Sequence, residues 1–233
     1  MQVHQEGIVE LTVINVLTIN EAWWRGLREC LAHGYEYTIS SGSSGTEDKK
    51  RRELDMAAIH ITKPGIRPLV PDVPSGVPAP TDDAYLENYL HYLLTDAKAP
   101  NEDYTYGMYI QDQFTEVVEM YNRSGFETNQ ATITVGDKSS IYLGDPPCLR
   151  LIDTRVRYGA LHWVVYFRSW DCWGGLPSNL GGLQLAKEMM ADMIGVDDGE
   201  LFAFSKGLHI YDSEWEVAEM VARLGEEKKQ VKD

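Results

Sequence analysis

Four short stretches of this sequence carry side chains that could do chemistry together. Cys148 follows Pro146 and Pro147, whose rings hold φ at about −65° and stiffen the approach to the thiol. Further along come Arg168-Ser169-Trp170-Asp171 and Gly174-Gly175-Leu176-Pro177-Ser178-Asn179, and later His209 and Tyr211. His209 and Tyr211 are separated by one residue, so on a strand both face the same side. A thiolate is a nucleophile, an arginine beside a hydroxyl suits a phosphate, and an amide presents a donor and an acceptor together. That set is sufficient to hold a nucleotide and attack its base.

Each residue also has a plainer reading. Cys148 is either a structural thiol or a nucleophile, and a nearby guanidinium would raise its thiolate fraction. Arg168 is either an exposed surface arginine or, with Ser169, half of a phosphate site. Asp171 can cap the turn that follows it or join the site. Asn179 can cap a helix or read the O4 and N3–H edge of uracil, whose donor and acceptor order is the reverse of cytosine's. His209 and Tyr211 are either core residues or part of a site. Cys30 and Cys172 have no comparable neighbours and read as structural.

These residues need elements to position them. The β-branched run Ile8 to Leu17 reads as a strand, and Glu21 to His33 as a helix capped by Asn20 and closed by Gly34. Tyr35 to Ile39 alternates like a strand. Ser40 to Lys50 reads as a loop running into the charges Glu47-Asp48-Lys49-Lys50-Arg51-Arg52, and Leu54 to Thr62 as a strand. Lys63 to Pro80 holds six of the ten prolines and reads as a long loop wrapped on one core. Asp82 to Leu94 has helical spacing, with Tyr85, Tyr89 and Leu93 on one stripe and Thr81 or Asp82 as cap. Tyr109 to Asn122 is a second helix and Ala131 to Val135 a short strand. Leu149 to Arg157 and Ala160 to Arg168 form a hairpin across Tyr158-Gly159. Leu176 to Ile194 is a long helix, Leu201 to Tyr211 one strand, and Glu214 to Leu224 a last helix. Strands outnumber helices and hairpins recur, which indicates an α+β fold in one domain over residues 1–233.

Composition narrows the classes further. Hydrophobic content of 43% with 24% charged residues is that of a soluble globular protein, and a cytoplasmic location follows from the lack of a signal pattern or long apolar run. A net charge of −15 argues against a nucleic-acid surface, although one phosphate needs only a few local arginines. Three widely spaced cysteines fit a reducing compartment with free thiols.

The ordered set Pro146-Pro147-Cys148, Arg168-Ser169-x-Asp171, Gly175-Leu176-Pro177-x-Asn179 and His209-x-Tyr211 resembles the thymidylate synthase family. Pro-Pro-Cys-Leu and Tyr104-Thr105-Tyr106-Gly107 are similar to its compact archaeal-type branch. The motifs lie within residues 81–212; the first eighty match weakly. The resemblance implies a large mixed β-sheet with flanking helices, packed back to back in a homodimer. It implies no metal, and a methylene-tetrahydrofolate or related methylene-pterin as co-substrate. Cys148 would add to C6 of the pyrimidine, C5 would take the one-carbon unit, and dUMP would become dTMP. Arg168 would lie near the sulfur and, with Ser169, hold the phosphate. Asn179 would read the base, and His209 and Tyr211 the sugar. Asp171 would serve the base-side network or the pterin, Tyr106 the cofactor side, and Glu87 would be the general base unless it is an ordinary helix glutamate.

Three departures bear on that expectation. The family donates an arginine pair across the dimer, where this chain has Thr128-Asn129-Gln130. Trp170 and Trp173 are bulky and would crowd the cofactor side, and Glu226 to Asp233 is charged with no apolar lid. Two alternatives therefore stand beside dUMP methylation. One is a hydroxymethylase acting on dUMP, dCMP or CMP, in which water quenches the intermediate; the other is a non-catalytic nucleotide-binding homologue.

Overall fold

Burial along Ala160–Phe167 alternates strictly, with Leu161, Trp163, Val165 and Phe167 buried and the residues between them half-covered. That period of two defines the central strand, β7, of a six-stranded sheet. The computed structural model describes residues 8–39, 49–98 and 102–230. Within them the sheet runs β1 (Leu11–Val16), β4 (Met56–Ile61), β9 (Asp197–Ser205), β7, β6 (Leu149–Arg157) and β5 (Thr132–Thr134). It is mixed: β1 with β4 and β7 with β9 are parallel, and the other neighbours are antiparallel. The β6–β7 hairpin turns on Tyr158 and Gly159, with φ of 54° and 80°. Two positive φ values in a two-residue turn match the right-handed twist of the strands it joins.

One face of this sheet is covered by helices α1 (Ile19–His33), α3 (Gly107–Ser124) and α4 (Gly175–Ile194). A buried hydrogen bond of 2.9 Å between Tyr121 Oη and Thr154 Oγ1 ties α3 to β6. The other face carries half-covered Leu151, Val164, Tyr166 and Phe202, with Val13 and Phe204 exposed at 55% and 37%. The mixed sheet with flanking helices is the expected architecture.

A second sheet of four strands runs β2 (Tyr35–Ile39), β3 (Lys49–Leu54), β10 (Leu208–Tyr211) and β8 (Trp170–Asp171). Two expectations fail here. Leu201 to Tyr211 is two strands in two sheets, divided at Lys206-Gly207, where Ser205 Oγ accepts the Gly207 N–H at 3.1 Å and turns the chain. The charge run also enters a strand at Lys49. Three of its cations lie over aromatic faces, Lys49 over Tyr211 at 5.4 Å, Arg51 over Tyr37 at 4.9 Å and Arg52 over Trp215 at 4.2 Å, and the two arginines are half-buried while Lys49 and Lys50 stay exposed. Residues 40–48, the rest of the expected loop, lie outside the described residues.

Helix ends differ in detail. Thr18 Oγ1, not Asn20, caps α1 by accepting the Glu21 N–H at 3.1 Å, and Asn20 Oδ1 accepts the Asp72 N–H and pins the proline-rich loop. Asp82 caps α2 (Asp83–Leu94) as expected, but its inner face is Leu86, Tyr89 and Leu93, with Tyr85 52% exposed. Against that face α4 presents Gly181 and Gly182. A Cβ on Gly181 would meet Leu86 at 2.7 Å, and one on Gly182 would run into the Tyr89 ring. Mid-helix glycine costs about 1 kcal/mol relative to alanine, and here it lets α2 approach α4 closely. That approach brings Tyr89 to Asn179. The final helix, α5, spans Trp215–Gln230.

Candidate active site

Strand register sets the thiol against the arginine. Leu149 pairs with Phe167, so Cys148 and Arg168 lie just beyond the paired ends, and the Arg168 N–H donates to the Cys148 carbonyl at 2.9 Å. The guanidinium folds over the approach to the thiol. Its Nε donates to the Pro146 and Pro147 carbonyls at 3.2 Å each, and Nη2 donates to the Pro146 carbonyl and, at 3.1 Å, to Asp145 Oδ1. Nη1 makes no hydrogen bond among the described residues. Cys148 is partly exposed, whereas Cys30 and Cys172 are both buried at 0%. Burial pushes the Cys148 thiol above its ordinary range. Arg168 and Arg51 pull it down and Asp145 pushes it up, so the arginine effect expected from the sequence is present but outweighed.

A tyrosine plate closes the other side of the thiol. Tyr106 is 7% exposed, and its hydroxyl accepts the Leu149 N–H at 3.3 Å. Tyr92 and Tyr104 lie against it at ring-centroid distances of 5.4 and 5.9 Å. Burial raises the pKa of each of these phenols, that of Tyr92 to about 12, so all three stay protonated near neutrality. Tyr106, expected on the cofactor side, is thus a buried support under the Cys148 strand; Tyr92 and Tyr104 are the more exposed rings.

Asn179 is not a helix cap. Asp171 performs that work, its carboxylate accepting the N–H groups of Trp173, Gly174 and Gly175 at 3.0 Å each. Asn179 lies within α4, its Oδ1 accepting the Trp170 indole N–H at 2.8 Å and its Nδ2 donating to Tyr89 Oη at 2.6 Å. Tyr89 meets Tyr106 edge-on at 6.4 Å, so the amide and the thiol share one aromatic wall.

Strands β8 and β10 bring in the remaining expected residues. Trp170 N–H donates to the Gly207 carbonyl at 2.9 Å and Cys172 N–H to the His209 carbonyl at 2.7 Å. His209 is 2% exposed and packs edge-on to Tyr211 at 4.8 Å. Its Nδ1 lies 2.9 Å from the Gly207 carbonyl, which can only accept, so Nδ1 carries the proton. Nε2 is then a buried acceptor with no partner among the described residues. Burial lowers the His209 pKa to about 4, keeping the ring neutral.

Sequence reasoning missed Arg51. It pairs across β3 with Tyr37 on one side and Tyr211 on the other, and its Nη1 donates to Ser169 Oγ at 3.4 Å. Its Nε donates to Tyr37 Oη at 2.7 Å and pairs with Glu53 at 3.1 Å. The alternation of Lys49 and Arg51 within the charge run was the available signal. Glu87, by contrast, is exposed on α2 and has no hydrogen bond or ion pair among the described residues. Asn129 and Gln130 are exposed just before β5. No group of three His, Cys, Asp or Glu among the described residues is placed to hold a metal, and no helix there is long and apolar enough to cross a membrane.

Comparison with known proteins finds archaeal relatives over most of the chain. The chain is 28% identical over 219 residues to a protein of Methanosarcina barkeri named "Putative thymidylate synthase", covering 91% of this chain and 94% of that one. A protein of the same name from Methanococcoides burtonii is 28% identical over 221 residues, with the same coverage, and one from Methanocaldococcus jannaschii is 27% identical over 177 residues, covering 70% and 77%. The sequence pattern of the family described as "Thymidylate synthase" matches residues 109–232, which include Cys148, Arg168, Asn179, His209 and Tyr211, and on that match over more than half its length the chain belongs to the thymidylate synthase family.

Proposed function

We propose that this protein transfers a one-carbon unit to C5 of a pyrimidine nucleotide, with dUMP as substrate and dTMP as product. The observation that carries the reading is the pairing of a partly exposed Cys148 with Arg168 across a strand register, with the Asn179 amide on the same aromatic wall. Cys148 adds as thiolate to C6 of the ring, which makes C5 nucleophilic. The phosphate takes the free Nη1 of Arg168, the Ser169 hydroxyl and Arg51, so a second cation comes from the same chain where the cross-dimer pair is replaced by Asn129 and Gln130. The sugar hydroxyl donates to His209 Nε2, a buried acceptor otherwise unpaired, with Tyr211 beside it.

A methylene-tetrahydrofolate or related pterin supplies the one-carbon unit and, for a methyl product, the hydride. The half-covered rings of Tyr92 and Tyr104 fit a flat pterin better than buried Tyr106 does. The C5 proton is lost to water reaching the partly exposed thiol side, because Glu87 lies on the exposed face of α2 and the neighbouring phenols are already protonated. The chain forms a homodimer through the open face of the six-stranded sheet, where Val13, Val164, Tyr166, Phe202 and Phe204 lie uncovered or half-covered.

Incubation with dUMP or dCMP, each with methylene-tetrahydrofolate, should give dTMP from dUMP. A hydroxymethyl product would instead assign water as the quencher. Cys148→Ser should abolish tritium release from 5-labelled dUMP while leaving nucleotide binding measurable; retained release would remove the thiol from the mechanism.

A further inference from the structure

An asparagine cannot by itself tell uracil from cytosine. Rotation of its amide by half a turn exchanges the donor and acceptor, so a free side chain matches either base. Whatever fixes that rotation sets the base choice. We propose that Trp170 is the specificity-determining positioning residue, its indole N–H locking the Asn179 amide in the orientation that reads a uracil-type edge. This assignment rests on the pyrimidine-nucleotide reading of the site.

The two neighbours of the amide differ in what they can donate and accept. An indole nitrogen only donates, so at 2.8 Å it must face Oδ1 and never Nδ2. A flipped amide would set N–H against N–H at a tryptophan that is 3% exposed, where no water can intervene. Tyr89 imposes no such order, because its hydroxyl can accept from Nδ2, as it does at 2.6 Å, or donate to Oδ1. Trp170 is itself held firmly. Its ring stacks on Phe167 at 4.1 Å with planes 5° apart, and its backbone is paired to β10 through the Gly207 carbonyl. With one position on each amide atom occupied, a lone pair on Oδ1 and an N–H on Nδ2 remain, in fixed order. A ring N–H beside a carbonyl matches that order; the ring nitrogen and amino group of cytosine oppose it. The bulk of Trp170, which at first reads as an obstruction of the cofactor side, is on this view part of base selection.

The test measures equilibrium binding of dUMP and dCMP, without co-substrate, to the wild type, Trp170→Phe and Tyr89→Phe. A further variant carries benzothienylalanine at position 170 and so keeps the ring but removes only the N–H. The wild type should prefer dUMP. Trp170→Phe and the benzothienyl variant should lower the dUMP-to-dCMP affinity ratio by about ten- to a hundredfold, chiefly by improving dCMP, as expected for relief of one unsatisfied buried group. Tyr89→Phe should weaken both nucleotides in similar proportion and leave the ratio in place. An unchanged ratio in the benzothienyl variant, equal wild-type affinities, or a shift in Tyr89→Phe as large as in Trp170→Phe would overturn the lock. Failure of the wild type to bind either nucleotide would instead overturn the pyrimidine-nucleotide reading beneath it.

Discussion

Acidification from pH 7.5 to 5 should destabilise this protein through His209 by an amount that can be worked out in advance. The ring is 2% exposed, Nδ1–H is committed to the Gly207 carbonyl with the Glu53 carboxylate 3.8 Å away, and Nε2 has no partner among the described residues. Burial is the leading cause that takes its pKa from 6.5 to about 4, and the Arg51 charge adds to it. The unfolded chain recovers the ordinary value, so between the two values it binds more protons than the native state, and stability falls as pH falls. The whole difference amounts to about 3 kcal/mol, and about 2 kcal/mol of it is lost by pH 5. His209→Asn supplies an N–H for the Gly207 carbonyl without a titrating ring. Urea unfolding of both proteins at half-unit steps from pH 7.5 to 5 isolates the residue, because all other titrating groups are common to the pair. The wild-type curve should fall more steeply by about 2 kcal/mol over that range. Parallel curves would show that His209 is not held neutral, and the unpaired Nε2 acceptor assigned to the sugar would go with it.

Three further outcomes are expected. Arg168→Met should slow iodoacetamide labelling of Cys148 at neutral pH, because the guanidinium is the largest influence lowering that thiol's pKa; an unchanged rate would separate the charge from the sulfur. Arg51→Met should weaken dUMP by about tenfold or more while leaving deoxyuridine nearly unaffected, since a lost charge-assisted hydrogen bond is worth about 1.5–3 kcal/mol; equal losses for both would place Arg51 away from the phosphate. Sedimentation should give twice the 26.3 kDa chain mass, and Phe204→Glu should shift the protein toward monomer; a wild-type monomer at micromolar concentration would leave the open sheet face without its partner.

What could be read in the sequence was whatever depends on local chemistry. The Tyr158-Gly159 turn, the Asp82 cap and the alternation of Ala160–Phe167 are visible because neighbours in sequence determine them. The four motifs were legible in order for the same reason. The β9–β10 break was hidden because Leu201 to Tyr211 stays apolar on both sides of Gly207 while the sheet it belongs to changes. Arg51 was hidden because a run of charges reads as solvated until Tyr37, Trp215 and Tyr211 are known to lie beneath it. Tyr85 and Tyr89 looked like a helical stripe, and no periodicity says that Tyr89 meets Asn179. Gly181-Gly182 was the one clue, a close approach written into a helix that would be more stable with alanine.

The glycine pair shows how fold and site depend on each other here. A Cβ at Gly182 would displace Tyr89, and Tyr89 is the link between the Asn179 amide and the Tyr106 wall under Cys148. Trp170 fixes the same amide from the other side, and it is placed by its parallel pairing with β10, the strand that also carries His209. One side of the proposed base pocket is therefore set by helix packing and the other by strand pairing. The thiol is set by a third contact, the β6–β7 register that brings Cys148 opposite Arg168. The first two contacts lie within helices and strands, and the third lies at the paired ends of β6 and β7. On the proposed reading, base selection depends on backbone geometry fixed before substrate arrives, so substitutions that loosen α2 against α4 should impair discrimination before they impair folding.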